Sequence, residues 1–130
     1  MRKRFILFLI TLLFCTTSVM TQEVPVGVIA AFKKGSSTEL SNYLGDKVDL
    51  VIQNRPAASD KQGAVQSLMR LFTDNKVSNF NVNHQGKRDE SSFIIGTLTT
   101  DKGNFRVNCF FKKVQNRYII HQIRIDKSND

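Results

Sequence analysis

His84 and His121 are the two histidines of the chain, and each falls in a run where apolar and polar residues alternate. An imidazole titrates near neutrality, so a histidine on an apolar face is a candidate general acid or base. Asp49, Tyr43 and Tyr118 are the other ionisable side chains able to join it. Such chemistry asks for hydrogen-bond reach to a substrate and for a second group that stabilises developing charge. The two histidines lie on the first and last strands of a predicted four-strand meander. At about 4.8 Å per strand they stand roughly 14 Å apart and cannot act as a pair. Asp49 could approach His121 if the first strand lay beside the last. Asp49 alternates against Val48, Leu50 and Ile52, however, and is expected to face solvent. His121 is therefore read as a packed or pocket-lining residue rather than a catalyst.

Other chemistries find little support. A metal site wants His, Cys and carboxylates at ligand spacing, and the histidines are 37 positions apart. No glycine-rich phosphate loop precedes a helix, and no Gly-x-Ser-x-Gly elbow is present. Cys109 stands in a Phe-rich strand, where a thiol without an activating base is a small buried hydrophobe. No cofactor and no metal are expected.

The elements that must position these groups begin after a leader. Arg2, Lys3 and Arg4 precede an apolar run over residues 5–14, too short to span a bilayer, which takes about 20 residues. With Thr16, Thr17 and Ser18 following, this reads as a secretory signal peptide over residues 1–21. Cys15 follows the bulky Phe14 and is read as part of the discarded leader rather than as a lipidation site. Cleavage leaves one domain, residues 22–130, exported to the periplasm or beyond. It also lowers the net charge from +8 to +5, because three of the 19 basic residues leave with it. The remaining Lys and Arg are scattered among acids, which speaks against nucleic-acid binding. Membrane contact is expected only through the leader.

Pro25 suits a helix first turn, and Val24, Val28, Ala31 and Phe32 recur at helical spacing before Gly35. Ser36-Ser37-Thr38-Glu39 reads as a capping box, opening a short helix with Leu40, Tyr43 and Leu44 on one face and Gly45 at its end. Residues 47–53 alternate as a strand, and Asn54-Arg55-Pro56 breaks them. Ser59-Asp60-Lys61-Gln62 reads as a second capping box. Its helix runs to about residue 74 with Ala64, Val65, Leu68, Met69 and Phe72 as the apolar stripe. Strands and turns follow. Phe80, Val82 and His84 alternate with Asn79, Asn81 and Asn83; residues 93–99 are apolar and β-branched; Asp101-Lys102-Gly103-Asn104 is a hairpin turn. Phe105, Val107, Cys109 and Phe111 share one face, with Phe110 among polar residues on the other. After a turn at Gln115-Asn116-Arg117, Ile119, His121, Ile123 and Ile125 are expected to share a face. The fold class is α+β, a curved antiparallel sheet with the N-terminal helices packed on its concave face. Phe32, Leu68, Phe72, Phe80, Phe105, Phe111 and Ile123 are expected in one core.

Three stretches carry a resemblance: Val24-Pro25-Val26-Gly27 with Ala31-Phe32-Lys33-Lys34-Gly35; Ile95-Gly96-Thr97-Leu98-Thr99-Thr100 with Gly103-Asn104-Phe105-Arg106-Val107; and Tyr118-Ile119-Ile120-His121-Gln122-Ile123-Arg124-Ile125. The mature chain resembles an exported bacterial family known as domain of unknown function 4783, within the nuclear-transport-factor-two-like, or cystatin-like, superfamily. The resemblance implies a cone-like fold. It brings no activity, since cones of this kind serve isomerases, dehydratases, adaptors and inert pockets. If the cone holds a pocket, Tyr43, Phe72, Cys109, Phe111 and His121 are the residues expected to line it.

The expected function is an exported, non-enzymatic binding domain for a small apolar ligand or a protein partner, with a homodimer through the sheet as one form of partnership. A cofactor-free isomerase or hydro-lyase is the first alternative, and a structural or inhibitory protein–protein module the second. Two close ionisable groups in a pocket favour the isomerase. A sealed core with an apolar patch outside favours the interaction module.

Overall fold

The computed structural model describes residues 24–128. The leader, Cys15 and the cleavage point lie outside the described residues. Pro25 fixes the extended approach to α1, Val26–Lys34, and Gly35 ends it at φ 64°, donating its N–H to the carbonyls of Ala31 and Phe32. A residue without Cβ adopts that left-handed geometry without steric cost. Ser36 caps α2, Ser37–Ser41, by accepting the Glu39 N–H. The reciprocal half of the expected capping box is not made. The Ser36 N–H goes to Ala31 O at 2.9 Å, and the Glu39 carboxylate pairs with Lys34 Nζ at 3.2 Å instead.

The short helix also stops earlier than its apolar residues suggest. Asn42 closes it, and Leu44 and Gly45 already belong to β1, Leu44–Ile52. The cause is a sheet contact, Ile120 N–H to Tyr43 O at 2.8 Å, which pulls the chain extended. Gln53 and Asn54, at φ 55° and 66°, turn the chain back into β2, Arg55–Asp60. This strand was not expected, because Arg-Pro-Ala-Ala-Ser-Asp has no alternation and carries a proline. As an edge strand it tolerates both. Asp60, not Ser59, caps α3, Lys61–Asp74, accepting the Gly63 N–H at 2.8 Å. Ala64, Leu68 and Phe72 face the core as expected, with Ser67 beside them, whereas Met69 is exposed.

The meander follows as β3 Val77–Arg88, β4 Ser91–Thr100, β5 Gly103–Val114 and β6 Arg117–Lys127. With β1 and β2 it makes one six-stranded sheet in the order β2-β1-β6-β5-β4-β3. All neighbours are antiparallel except β1 and β6, which run parallel and put Leu50 beside Ile123. The α+β cystatin-like architecture is as expected, while the chain gains one strand, β2, and the sheet one parallel pair. The face toward the helices carries Phe80, Ile94, Leu98, Phe105, Val107, Cys109, Phe111, Ile120 and Ile123. These close on Val28, Phe32, Leu40, Leu68 and Phe72 of the helical layer in one cluster. All seven expected core residues belong to it.

Candidate functional site

Of the five residues expected to line a pocket, three are closed off in the core. Phe111 and Cys109 have no exposure and Phe72 almost none. The Phe32 and Phe80 rings stack with centroids 4.9 Å apart in the middle of this layer. The Cys109 thiol is pushed far up by burial, so it stays protonated and unreactive. Tyr43 is half-buried, and its phenol fills the space where Gly27 of α1 has no side chain.

His121 is exposed, not on the inner face. The reason is a bulge in β6. Phe111 pairs with Ile120 and Phe110 with Gln122, so His121 is the extra residue between them. A bulge shifts the in–out alternation by one position. Tyr118 and Ile120 therefore point inward before it and Ile123 and Ile125 after it, and Ile119 moves to the outward side. A register shift between Val82 and His84 does the same to β3, leaving Phe80 buried and His84 exposed. Asp49 faces solvent as expected and stands across from Gln122, beside His121. The His121 imidazole is held below its ordinary range by partial burial and by the Lys112 ammonium, and Asp49 opposes both. Three groups spread on an open sheet surface, with a cation disfavouring the charged imidazole, form no enclosed acid–base site.

The outward face of the sheet carries a concave feature. One groove of about 670 Å³ crosses four strands, between Asn83 and His84 of β3, Ile95 and Thr97 of β4, Arg106 of β5 and residues 126–128 of β6 and its end. Ile95 and Thr97 are half-buried and Arg106 is exposed. Thr97 Oγ1 donates to Asn83 Oδ1 at 2.9 Å, fixing one wall. Arg106 stands opposite Asp126 across β5 and β6. The Asp126 carboxylate is nevertheless engaged by Arg124 Nε at 3.1 Å, and Arg124 also donates to Asn54 Oδ1 in the β1–β2 turn. Arg106 has no ion pair among the described residues. Lys127, at the groove's end, donates to Lys102 O at 2.9 Å and lies 5.3 Å from the centre of the Phe105 ring. A shallower cleft of about 470 Å³ lies between β1, β2 and β6, with Asp49, Val51, Pro56 and Gln122 on its walls. Neither is lined by Tyr43, Phe72, Cys109, Phe111 or His121.

Alternation in the sequence places Asn83, Thr97 and Arg106 outside, which was readable. That they form one groove depends on the order and register of four strands, which was not. Phe93 and Phe110 pair on this outward face, ring centres 6.4 Å apart, and Gly86 lies beneath Phe93. Among the described residues, no three His, Cys, Asp or Glu side chains are gathered to hold a metal ion.

The family model described as Domain of unknown function (DUF4783) matches residues 26–126. No curated protein matches the chain. The crystal structure of a DUF4783 family protein from Bacteroides ovatus is 70% identical, with a TM-score of 0.81, covering 84% of this chain and 99% of that one. A domain of unknown function with a cystatin-like fold from Nostoc punctiforme is 8% identical, with a TM-score of 0.65, covering 81% of this chain and 73% of that one. A protein of the NTF2-like family from Streptomyces avermitilis is 11% identical, with a TM-score of 0.62 and coverages of 81% and 91%. The last two share the fold alone.

Proposed function

This chain belongs to the DUF4783 family, of NTF2-like fold, and from that premise we propose that it is an exported, non-enzymatic binding domain whose binding surface is the outward face of its sheet. The observation that carries the reading is the contrast between the two faces. The inner face is filled by side chains with no exposure, among them Phe32, Phe80, Phe111, Leu68 and Ile123. The outward face carries a groove of small-ligand size, within the roughly 300–1,000 Å³ usual for such sites. The isomerase or hydro-lyase alternative is not favoured, because His121 and Asp49 are both exposed and water would compete for any charge they stabilise. Export, to the periplasm or beyond, rests on the basic residues 2–4 and the apolar run of residues 5–14.

A homodimer through the same face is the second reading, favoured by the Phe93–Phe110 pair beside the groove. The large exposed apolar residues Val26, Met69 and Val114 lie on three separate elements and offer no competing patch.

The test is a fragment screen on the mature domain read by amide chemical-shift changes. Hits moving Ile95, Thr97 and Arg106 are expected. Hits moving Phe72, Cys109 and Phe111, or turnover of an enone or hydroxy-ketone, would overturn the reading. Intact mass of protein recovered from the native host should show the loss of 21 residues, with no diacylglyceryl adduct on Cys15.

A further inference from the structure

We propose that the outward groove takes a small organic anion, with Arg106 holding its charged group, His84 on the opposite wall and Ile95 as the apolar floor. The inference rests on the reading above, that the outward face is the binding surface, and adds the chemistry of the ligand.

Charge placement carries it. In an antiparallel pair, opposite charges on directly facing residues normally satisfy each other. Arg106 and Asp126 face each other in this way, yet Asp126 is turned to Arg124 on its own strand. The guanidinium of Arg106 is thus exposed, unpaired among the described residues, and on the wall of a groove. A guanidinium presents donors in a planar fork that matches a carboxylate or a phosphate, which makes it well suited to holding an oxyanion. The other cation at the groove, Lys127, adds positive potential at the same end. Among the described residues the one carboxylate lining the groove, Asp126, is engaged by Arg124.

The floor decides between an inorganic and an organic anion. Ile95 is half-buried beneath the groove, and a bare phosphate or sulfate leaves that apolar surface uncovered. An anion with an apolar or ring body buries it, at about 25 cal/mol per Å². His84 stands two strands across and two residues along from Arg106, roughly 12 Å at ordinary strand spacing and rise. An imidazole at that distance can give or accept one hydrogen bond at the far end of such a body.

The experiment titrates the mature domain with phenylacetate, phenyl phosphate, phenylacetamide and inorganic phosphate, following the amides of Ile95 and Thr97 and the side-chain Nε–H of Arg106. Saturable shifts with phenylacetate or phenyl phosphate are expected, weakening about tenfold or more in Arg106→Gln and less in Arg106→Lys, as suits a charge-assisted contact. Whichever probe binds tighter separates a carboxylate ligand from a phosphate ester. Phenylacetamide binding as tightly as phenylacetate would overturn the anion inference while leaving the surface reading intact. Inorganic phosphate binding as tightly as phenyl phosphate would overturn the role of Ile95. Shifts confined to the inner face would overturn both readings. A concentration-dependent dimer that Arg106→Gln dissociates and that no probe enters would overturn the anion inference and leave the outward face as the surface for a second copy.

Discussion

Arg106 and Asp126 are cross-strand partners on β5 and β6 that do not bond to each other, because Asp126 is held by Arg124, two residues before it on the same strand, at 3.1 Å. The groove's free positive charge therefore depends on a residue outside it. In Arg124→Gln the Asp126 carboxylate is released to turn toward Arg106, and the affinity for phenylacetate should fall several-fold. In Asp126→Asn it should rise. Both pair members are partly exposed, so denaturant unfolding should change by no more than about 1 kcal/mol. Unchanged affinity in both variants would separate Asp126 from the groove's charge.

Gly96 and Gly27 both make room for aromatic rings, and they should not respond alike to alanine. A Cβ at Gly96 would meet Phe80 Cζ at 2.5 Å and the Asn81 carbonyl at 2.6 Å, a side chain and a backbone atom. The three atoms nearest a Cβ at Gly27 all belong to the Tyr43 side chain, which can swing outward. Gly96→Ala is expected to cost about 1–3 kcal/mol through overpacking. Gly27→Ala should cost less, since the gain in helix propensity, up to about 1 kcal/mol, opposes the clash. The reverse order in thermal or denaturant unfolding would show that the ring of Phe80 yields more easily than this packing implies.

The cap of α3 gives a sharper contrast. Asp60 accepts the Gly63 N–H at 2.8 Å, so Asp60→Ala should destabilise the domain by about 1 kcal/mol. Ser59→Ala, one residue earlier, should leave the unfolding midpoint within error. Equal losses at the two positions would mean that the cap is shared.

The pH response of His121 follows from its surroundings. Partial burial, then Lys112, hold its pKa below the ordinary 6.5, with Asp49 opposing. The unfolded chain then takes up the proton more readily than the folded one. Any contribution to stability is intact above about pH 6.5 and is lost as pH falls from there through the lowered value. His121→Gln should flatten that acid-side loss. In a ring-proton titration the midpoint should lie below 6.5, move up in Lys112→Ala and move further down in Asp49→Asn. A wild-type midpoint at or above 6.5 would contradict the assignment.

The layers of this fold are legible in the sequence because burial follows period. Val48, Leu50, Phe80, Phe105, Val107, Cys109 and Phe111 all fall where alternation puts them. The failures concern residues whose facing is decided by a partner strand. His84 and His121 each sit at a register irregularity, and the inserted position is set by pairing across the sheet rather than by any local pattern. β2 was hidden for a related reason, since its extended form is held by pairing to β1 and by packing under α3, not by its own residues. The groove is legible only piecewise. Asn83, Thr97 and Arg106 announce a polar outer face, but the ion pair that leaves Arg106 free joins residues whose geometry no spacing rule predicts.

β6 is the last strand in chain order among the described residues, yet it lies inside the sheet, between β1 and β5. Every chain emerging N-terminus first therefore makes its helices, β1 and β2 before the strand that must join them to the meander exists. Contacts such as Leu50 with Ile123 close a long loop, and loops of this kind slow folding without weakening the product. Until β6 is complete the sheet has no seam joining β1 to β5, and the two halves meet only through the helical layer, with Phe32 of α1 against Phe80 of β3. An interruption anywhere within β6 removes a middle strand rather than trimming an edge, and leaves the sheet in two pieces, β2-β1 and β5-β4-β3.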